Sequence, residues 1–329
     1  MRMENLIGAD FRGCVLLAQG GRILFEKAFG FADLPNRIPN GIDTRFATAS
    51  AGKVFVAVGI LQLMEKGLLR LDDRIEDILD FDLKAIDGTI CIEELLSHTS
   101  GIPDYFDESI MREYEELWAD FPNYKIRSNK DLLPLFIDKP MLYPRGTRFQ
   151  YNNTGYVVLA MVIETITGME FDRYLKENVF APCGMHSTGY YELDRLPAHC
   201  AAHYIYKSDT DYRTNIFSVD AKGTGAGGAF TTVHDVRRFW EHLMAHRLLT
   251  AETTAAMLAD HSGARCYGYG VWLAETGGRT VPYFEGCDPG VSFISCYDRE
   301  KDGLAVLVSN YGDDVWALLK RLKAADMDG

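Results

Sequence analysis

The sequence is short of positive charge, of long apolar runs and of metal-binding spacings, and each shortage closes off a class of function. Lysine and arginine number 34 against 47 acids, a formal net charge of −13 over 329 residues. A chain this acidic lacks the basic face that a phosphate backbone demands, so neither a nucleic acid nor an anionic membrane surface is an expected partner. No apolar stretch reaches the roughly 20 residues needed to span a bilayer. The N-terminal MRMENLIGADFRG carries acids where a secretory signal has its apolar segment, which gives the expectation of a cytoplasmic protein. The seven cysteines are an odd, scattered set (14, 91, 183, 200, 266, 287 and 296), as suits a reducing compartment. Neither C-x-x-C nor H-E-x-x-H occurs. His199, Cys200 and His203 are too few to be read as a metal site, and no cofactor is implied. Repeats, low-complexity tracts and disordered linkers are also missing.

What is present is an ordinary globular balance, 47% hydrophobic and 25% charged, which predicts a real core. GCVLLAQ (13–19) and RILFEKAFG (22–30) read as two strands joined by a Gly-Gly turn. Residues 51–66 are apolar on nearly every helical face, predicting a buried helix ended by Gly67. From about 72 to 200 the pattern is mostly helical, with a second apolar helix at 155–168 capped by Asn152 or Asn153 and ended by Gly168. Beyond 212 a glycine-rich loop leads into a helix near 233–246. Runs near 267–274, 280–285, 291–297 and 303–309 read as strands, and 314–324 as a closing helix. The two ends are expected to share one antiparallel sheet. The fold class is therefore α/β of the α+β type, an antiparallel sheet flanked by helices with an inserted, mostly helical subdomain. The expected division is residues 1–70 with 213–329 as the α/β part and 71–212 as the helical part, with the site in the crevice between them.

The chemistry centres on FATASAGKVFVAVGILQLM (46–64), which places Ser50 and Lys53 at the mouth of the first apolar helix. Residues three apart share a helix face, so the amine reaches the hydroxyl. A serine hydroxyl is a weak nucleophile until its proton is taken. Lysine becomes a base only when burial lowers its pKa from about 10.4, and an apolar helix supplies such burial. The S-x-x-K spacing alone is weak, since it arises by chance and a first-turn lysine can simply snorkel to water. A second element stands at the entrance of the other apolar helix, Tyr151-Asn152-Asn153. A phenol near a cationic lysine ionises more easily and can relay a proton. The Asn153 amide offers a donor and an acceptor for a substrate amide. The plainer reading makes Asn153 a cap and Tyr151 a staple residue.

With these motifs in their order and flanks, the chain resembles the serine β-lactamase and penicillin-binding-protein superfamily, in its class C-like branch. IEELLSHTSGIPDY, PRGTRFQYNNTGYVVLAMVIE, FAPCGMHSTGY, GAGGAFTTVHDVRRF, YGYGVWL and CDPGVSF carry the likeness across residues 10–325. That resemblance implies Ser50 as the acylated nucleophile, Lys53 and Tyr151 as its proton-handling partners and Asn153 as a substrate contact. It implies a serine hydrolase acting through an acyl-enzyme on a small ester, amide or peptide. A D,D-peptidase or weak β-lactamase, and a silent ligand-binding homologue, stand as alternatives. The resemblance says nothing of oligomeric state.

The third family element, a basic residue before a P-G turn, is altered to Phe284-Glu285-Gly286-Cys287. Cys287 N–H with Ser50 N–H remains available as an oxyanion hole, because main-chain donors do not depend on side chains. Without the cation, a substrate carboxylate is poorly received. Phe284 is expected to pack against an acyl group. Glu285 is expected either to receive a substrate ammonium or to pair with an arginine. Cys287 is read as a packed residue rather than a thiol nucleophile, and His98 as a turn or core histidine. GTGAGG (223–228) fits a nucleotide-loop pattern without the flanking elements, although 215–219 could be a strand.

Overall fold

The structure is a computed structural model; it describes residues 3–264 and 266–327, and the elements below are those of the described residues. Helix α1 (Met3–Ile7) leads into strands β1 (Gly13–Gln19) and β2 (Arg22–Phe29), then the short strands β3 (Phe31–Asp33), β4 (Ile38–Pro39) and β5 (Phe46–Ala47). A 3-10 turn, Ala49–Gly52, opens α2 (Lys53–Glu65). Short helices follow, α3 (Ile75–Ile78) and α4 (Ile92–Leu96), then the longer α5 (Asn153–Thr167) and α6 (Phe171–Leu175). Strands β6 (Tyr204–Ser208), β7 (Asp211–Thr214) and β8 (Phe230–Thr231) precede α7 (Val233–Met244) and α8 (Ala251–Met257). The chain closes with β9 (Trp272–Thr276), β10 (Arg279–Asp288), β11 (Val291–Asp298), β12 (Gly303–Ser309) and α9 (Val315–Met327).

Six strands form one antiparallel sheet in the order β2-β1-β12-β11-β10-β9, so the first hairpin joins the last four strands through β1 and β12. Strand alternation sends one set of side chains to each face. Val15, Val281, Ile294 and Leu307 pack on α1 and α9, whereas Leu16, Phe284, Phe293 and Val306 join the larger core with α2 and α7. The same larger core runs on through Ile75, Leu95, Ile126 and Val158, so the sheet and the inserted segment share one apolar interior.

Helix α2 is buried from Lys53 to Leu63, as a helix apolar on all faces requires. It stops because Gly67, at φ +68°, lets Gly67 N–H donate to Met64 C=O and Leu68 N–H to Leu63 C=O, the paired bonds of a Schellman end. Helix α5 starts where Asn152 Oδ1 accepts from Gly155 N–H at 2.8 Å and ends at Gly168, φ +66°. No single helix among the described residues is long and apolar enough to cross a membrane.

Five sequence expectations need correction. The segment from 72 to 200 is not mostly helical: between α4 and α5 it consists of loops and short 3-10 turns. Residues 204–214 form a small hairpin, β6–β7, across the expected boundary. Residues 215–219 form a turn rather than a strand, and the strand expected at 267–274 begins only at Trp272. Phe284 does not face the cleft. Its ring is 2% exposed and stacks on Trp240 at 5.1 Å and Phe293 at 6.0 Å, because its position in β10 has the inward phase. Phe284→Ala therefore removes a core ring, at a cost of about 3–5 kcal/mol in unfolding free energy measured by urea titration.

Candidate active site

Ser50 sits on the 3-10 turn that opens α2, one residue after Ala49, which is held at φ +46°. Two glycine segments press on this turn. At Gly286 of β10, a side chain's first carbon would lie 2.2 Å from Thr48 C=O and 2.7 Å from Ser50 N. At Gly227 it would lie 2.3 Å from Ala49 C=O. The GTGAGG loop is thus a close-packing device: Gly228 N–H donates to Ala49 C=O at 3.0 Å, and Thr224 and Gly227 bond each other across a tight turn.

Behind Ser50, the Lys53 amine is buried and donates to three oxygens: Ser50 Oγ at 2.9 Å, Asn153 Oδ1 at 2.8 Å and Ala226 C=O. Burial lowers its pKa to about 8, against the opposing pull of Glu108, Asp104, Asp288 and Asp220. At that value the amine exchanges its proton near neutrality, and the neutral form can accept from Ser50 O–H in place of donating to it.

Asn153, the first residue of α5, points its amide oxygen at Lys53, the orientation required because lysine only donates while charged. Its Nδ2 donates to Phe106 C=O at 3.2 Å and Glu108 Oε1 at 3.4 Å, so the amide expected to meet substrate is also engaged within the protein. Asp104 lies under the start of α5 and accepts from Asn153 N–H at 2.9 Å and Thr154 N–H at 3.0 Å. Burial pushes its carboxyl up to about 6.

The Tyr151 ring lies between His98, 4.5 Å away, and Trp272, on which it stacks at 5.6 Å. Lys53 Nζ is 5.0 Å from the ring centre. Burial, aided by Tyr267, holds the phenol well above its usual pKa, with hydrogen bonding to Ser50 pulling the other way. The easier ionisation expected beside a lysine does not appear: burial keeps Tyr151 a neutral phenol. His98 is a buried turn residue at φ +58°, whose Nδ1 accepts from Asn152 N–H at 3.1 Å. His203 is likewise buried, its Nε2 accepting from Ala47 N–H at 3.0 Å.

The front wall is the end of β10. Pro289-Gly290 makes a two-residue turn with Asp288 opposite Val291, and Cys287 stands opposite Ser292. Counting from the turn, Asp288–Val291 is the bonded pair and Cys287 occupies the non-bonded position. Its N–H points away from β11, beyond the stretch of β10 that β9 covers. Glu285 is paired with no arginine among the described residues. Instead its carboxylate accepts from Trp316 Nε1–H at the start of α9, and burial raises its pKa. Cys287 is exposed at the cleft rather than packed as expected, because its position next to the turn lies beyond the cover of β9. Desolvation and the acids Asp288, Glu108 and Glu285 push its thiol up to about 11, away from thiolate chemistry.

Two hollows meet at Ser50. An outer cleft of about 690 Å³ is lined by Tyr151, Trp272, Glu285, Cys287 and Trp316. An inner cavity of about 60 Å³ is lined by Tyr105, Tyr114, Asn153, Asp220 and Asp288. Sequence reading missed Asp104, Asp220, Asp288, Trp272, Trp316 and the Ala226 carbonyl. Only Asp104 and Asp288 had a local signal, beside the HTSG and P-G turns.

A serine bonded to a buried lysine one helical turn on, with a tyrosine at a second helix entrance, defines an S-x-x-K serine hydrolase that works by acyl transfer. The family model "Beta-lactamase" matches residues 7–325, and the chain belongs to that family. It is 29% identical to penicillin-binding protein 4* of Bacillus subtilis strain 168, over 96% of this chain and 72% of that one. The crystal structure of a penicillin-binding protein from Bacillus halodurans superposes with a TM-score of 0.93 at 38% identity, over 98% and 100% of the two chains. The D-amino acid amidase of Ochrobactrum anthropi SV3 shares the fold, with a TM-score of 0.81 at 22% identity over 99% and 97%.

Gly286→Ala should drive the β10 backbone away from Ser50 while leaving the core intact. The expected result is a loss of acylation rate of about 100-fold or more, with unchanged circular dichroism.

Proposed function

We propose that the protein cleaves small esters or amides through an acyl-enzyme on Ser50. The observation that carries this reading is the Lys53 amine, 2.9 Å from Ser50 Oγ, buried and lowered to about 8. In its neutral form Lys53 takes the Ser50 proton as Oγ attacks the substrate carbonyl carbon. The oxyanion is received by the N–H groups of Ser50 and Cys287. As the tetrahedral intermediate collapses, the proton passes from Lys53 by way of the Tyr151 hydroxyl to the departing oxygen or nitrogen. A neutral phenol suits this step, since it donates one proton as it accepts another. Water then repeats the sequence, and Ser50 is regenerated.

The crevice reading of the two parts is supported by where these groups originate. Ser50, Lys53 and residues 285–288 lie in the expected α/β part, while Glu108, Tyr151 and Asn153 lie in residues 71–212. Seven free cysteines agree with a cytoplasmic setting. Glu285 in place of a basic residue disfavours substrates held by a carboxylate, β-lactams among them.

Intact-mass analysis after incubation with a fluorophosphonate should show one adduct on the wild type and none on Ser50→Ala. Absence of wild-type labelling in folded protein overturns the acyl-enzyme reading. Rapid penicillin acylation would contradict the disfavoured status of carboxylate substrates and point to Arg112, on the outer wall of the cleft, as the cation. Because the protonated lysine cannot accept a proton, kcat/KM for a neutral ester should rise with pH through about 8. Below that value it should fall about tenfold per unit.

A further inference from the structure

We infer that the outer cleft continues along one face of β10 into an apolar groove beside α9, and that this groove receives a long aliphatic chain of the substrate. The inference rests on Ser50 being the nucleophile, since the chain is placed by its attachment to the bond cleaved there. Strand alternation puts Val281, Tyr283, Glu285 and Cys287 on the same face of β10, leading away from the turn at Pro289-Gly290. The register sets Trp272 of β9 beside Tyr283 and Ala274 beside Val281. On the other side Ile294 and Cys296 of β11 stand beside Glu285 and Tyr283.

Helix α9 covers this face unevenly. Its Val315, Leu318 and Leu322 settle into the core with Ala305 and Leu307, over β11 and β12. The next stripe of the helix, Trp316, Leu319, Lys320 and Lys323, borders a groove of about 300 Å³ that also reaches Ala274, Val281 and Tyr283. Ala274 brings only a methyl group to it. Past Val281 a second hollow of about 170 Å³ shares Val281, Cys296, Leu319 and Lys323 with the first.

Groove and cleft form one path, because Glu285 and Trp316 line both. Aromatic rings run through the junction. Tyr151 stacks on Trp272 at 5.6 Å and Trp272 on Tyr283 at 6.4 Å, with interplanar angles of 14° and 20°. The Glu285 carboxylate is engaged by Trp316 Nε1–H, so the charge at the junction already has a partner.

The walls select the occupant. Val281, Ile294 and Leu319 offer no hydrogen bonds, so a peptide or sugar would leave its polar groups unpaired against them, whereas a hydrocarbon chain loses nothing. The exposed Lys320 adds an apolar stem at the rim while its ammonium stays in water. From Cys287 to Tyr283 the strand rises roughly 13 Å, which a chain of about ten carbons spans.

Two measurements test the groove separately from the chemistry. In the wild type, p-nitrophenyl acetate, hexanoate and decanoate vary the acyl side, and the acetates of ethanol, hexanol and decanol vary the alcohol side. In one series kcat/KM should rise about tenfold or more from the shortest chain to the ten-carbon one, and that series identifies the side of the bond that carries the chain. Ala274→Phe sets a ring opposite Val281 on an edge strand, where aromatic residues are well tolerated, and should cut the long-to-short ratio about tenfold. Ala274→Leu is the smaller plug for the same test, and both variants are checked by circular dichroism. In the Ser50→Ala protein, octanamide should bind about tenfold or more tighter than acetamide by calorimetry, and adding Ala274→Phe should remove the difference. If ester is hydrolysed with no length preference in either series, the groove fails and the hydrolase stands. A length preference that survives in a folded Ala274 variant also overturns the groove. If octanamide binds and Ala274→Phe abolishes that binding, while no ester turns over and no fluorophosphonate reacts, the groove stands and the acyl-enzyme reading fails.

Discussion

Everything at this site depends on keeping one amine out of water. Lys53 lies at the start of a helix with no solvent-facing side, and its nitrogen meets the nucleophile, an amide oxygen from α5 and a main-chain carbonyl from the glycine loop. Each of the three elements has to be in place before the amine is dry, and drying it is what lowers its pKa. The acids around it oppose that shift, and burial prevails over all of them. Sheet, helices and loop thus act together as an enclosure for one titratable nitrogen.

The same contest between burial and charge is decided in the same direction elsewhere in the cleft. Burial keeps Tyr151 a neutral phenol. Asp104, Asp220, Glu285 and Asp288 all hold their protons more firmly than free carboxyls do. A lowered amine beside a neutral phenol suits the passing of a proton, since the amine gives up and regains its proton near neutrality.

Much of the fold was legible in the sequence because its signals are local. The Gly-Gly hairpin, the glycines ending α2 and α5, and the apolar runs of β10 to β12 each announce an element within a few residues. The Ser50–Lys53 and Tyr151–Asn153 spacings are local too, and the structure brings these four residues together. What was illegible depends on partners far along the chain. Phe284 and Glu285 differ only in the phase of one strand, and nothing near them says which face meets the core. The Ala226 carbonyl has no side-chain signature at all. Asp220 sits in a loop whose neighbours give no hint of Asp288. Tyr151 was misjudged because a pairwise charge argument omitted the desolvation that only the packed structure supplies.

The pairing of β1 with β12 carries a consequence for how the molecule is made. Gly13 stands opposite Ser309 at one end of the β1–β12 ladder inside the sheet, so a strand made near the start of synthesis waits for one made near its end. The serine and lysine emerge early, whereas β10, with Gly286 and the Cys287 donor, emerges late. Closing a loop of that span is a slow, non-local step, and until it happens the apolar face of the first hairpin has no partner. Nascent chains interrupted before β10 therefore carry Ser50 and Lys53 without Gly286 and the Cys287 N–H. On the proposed mechanism, the site is complete only once the two ends of the chain have paired.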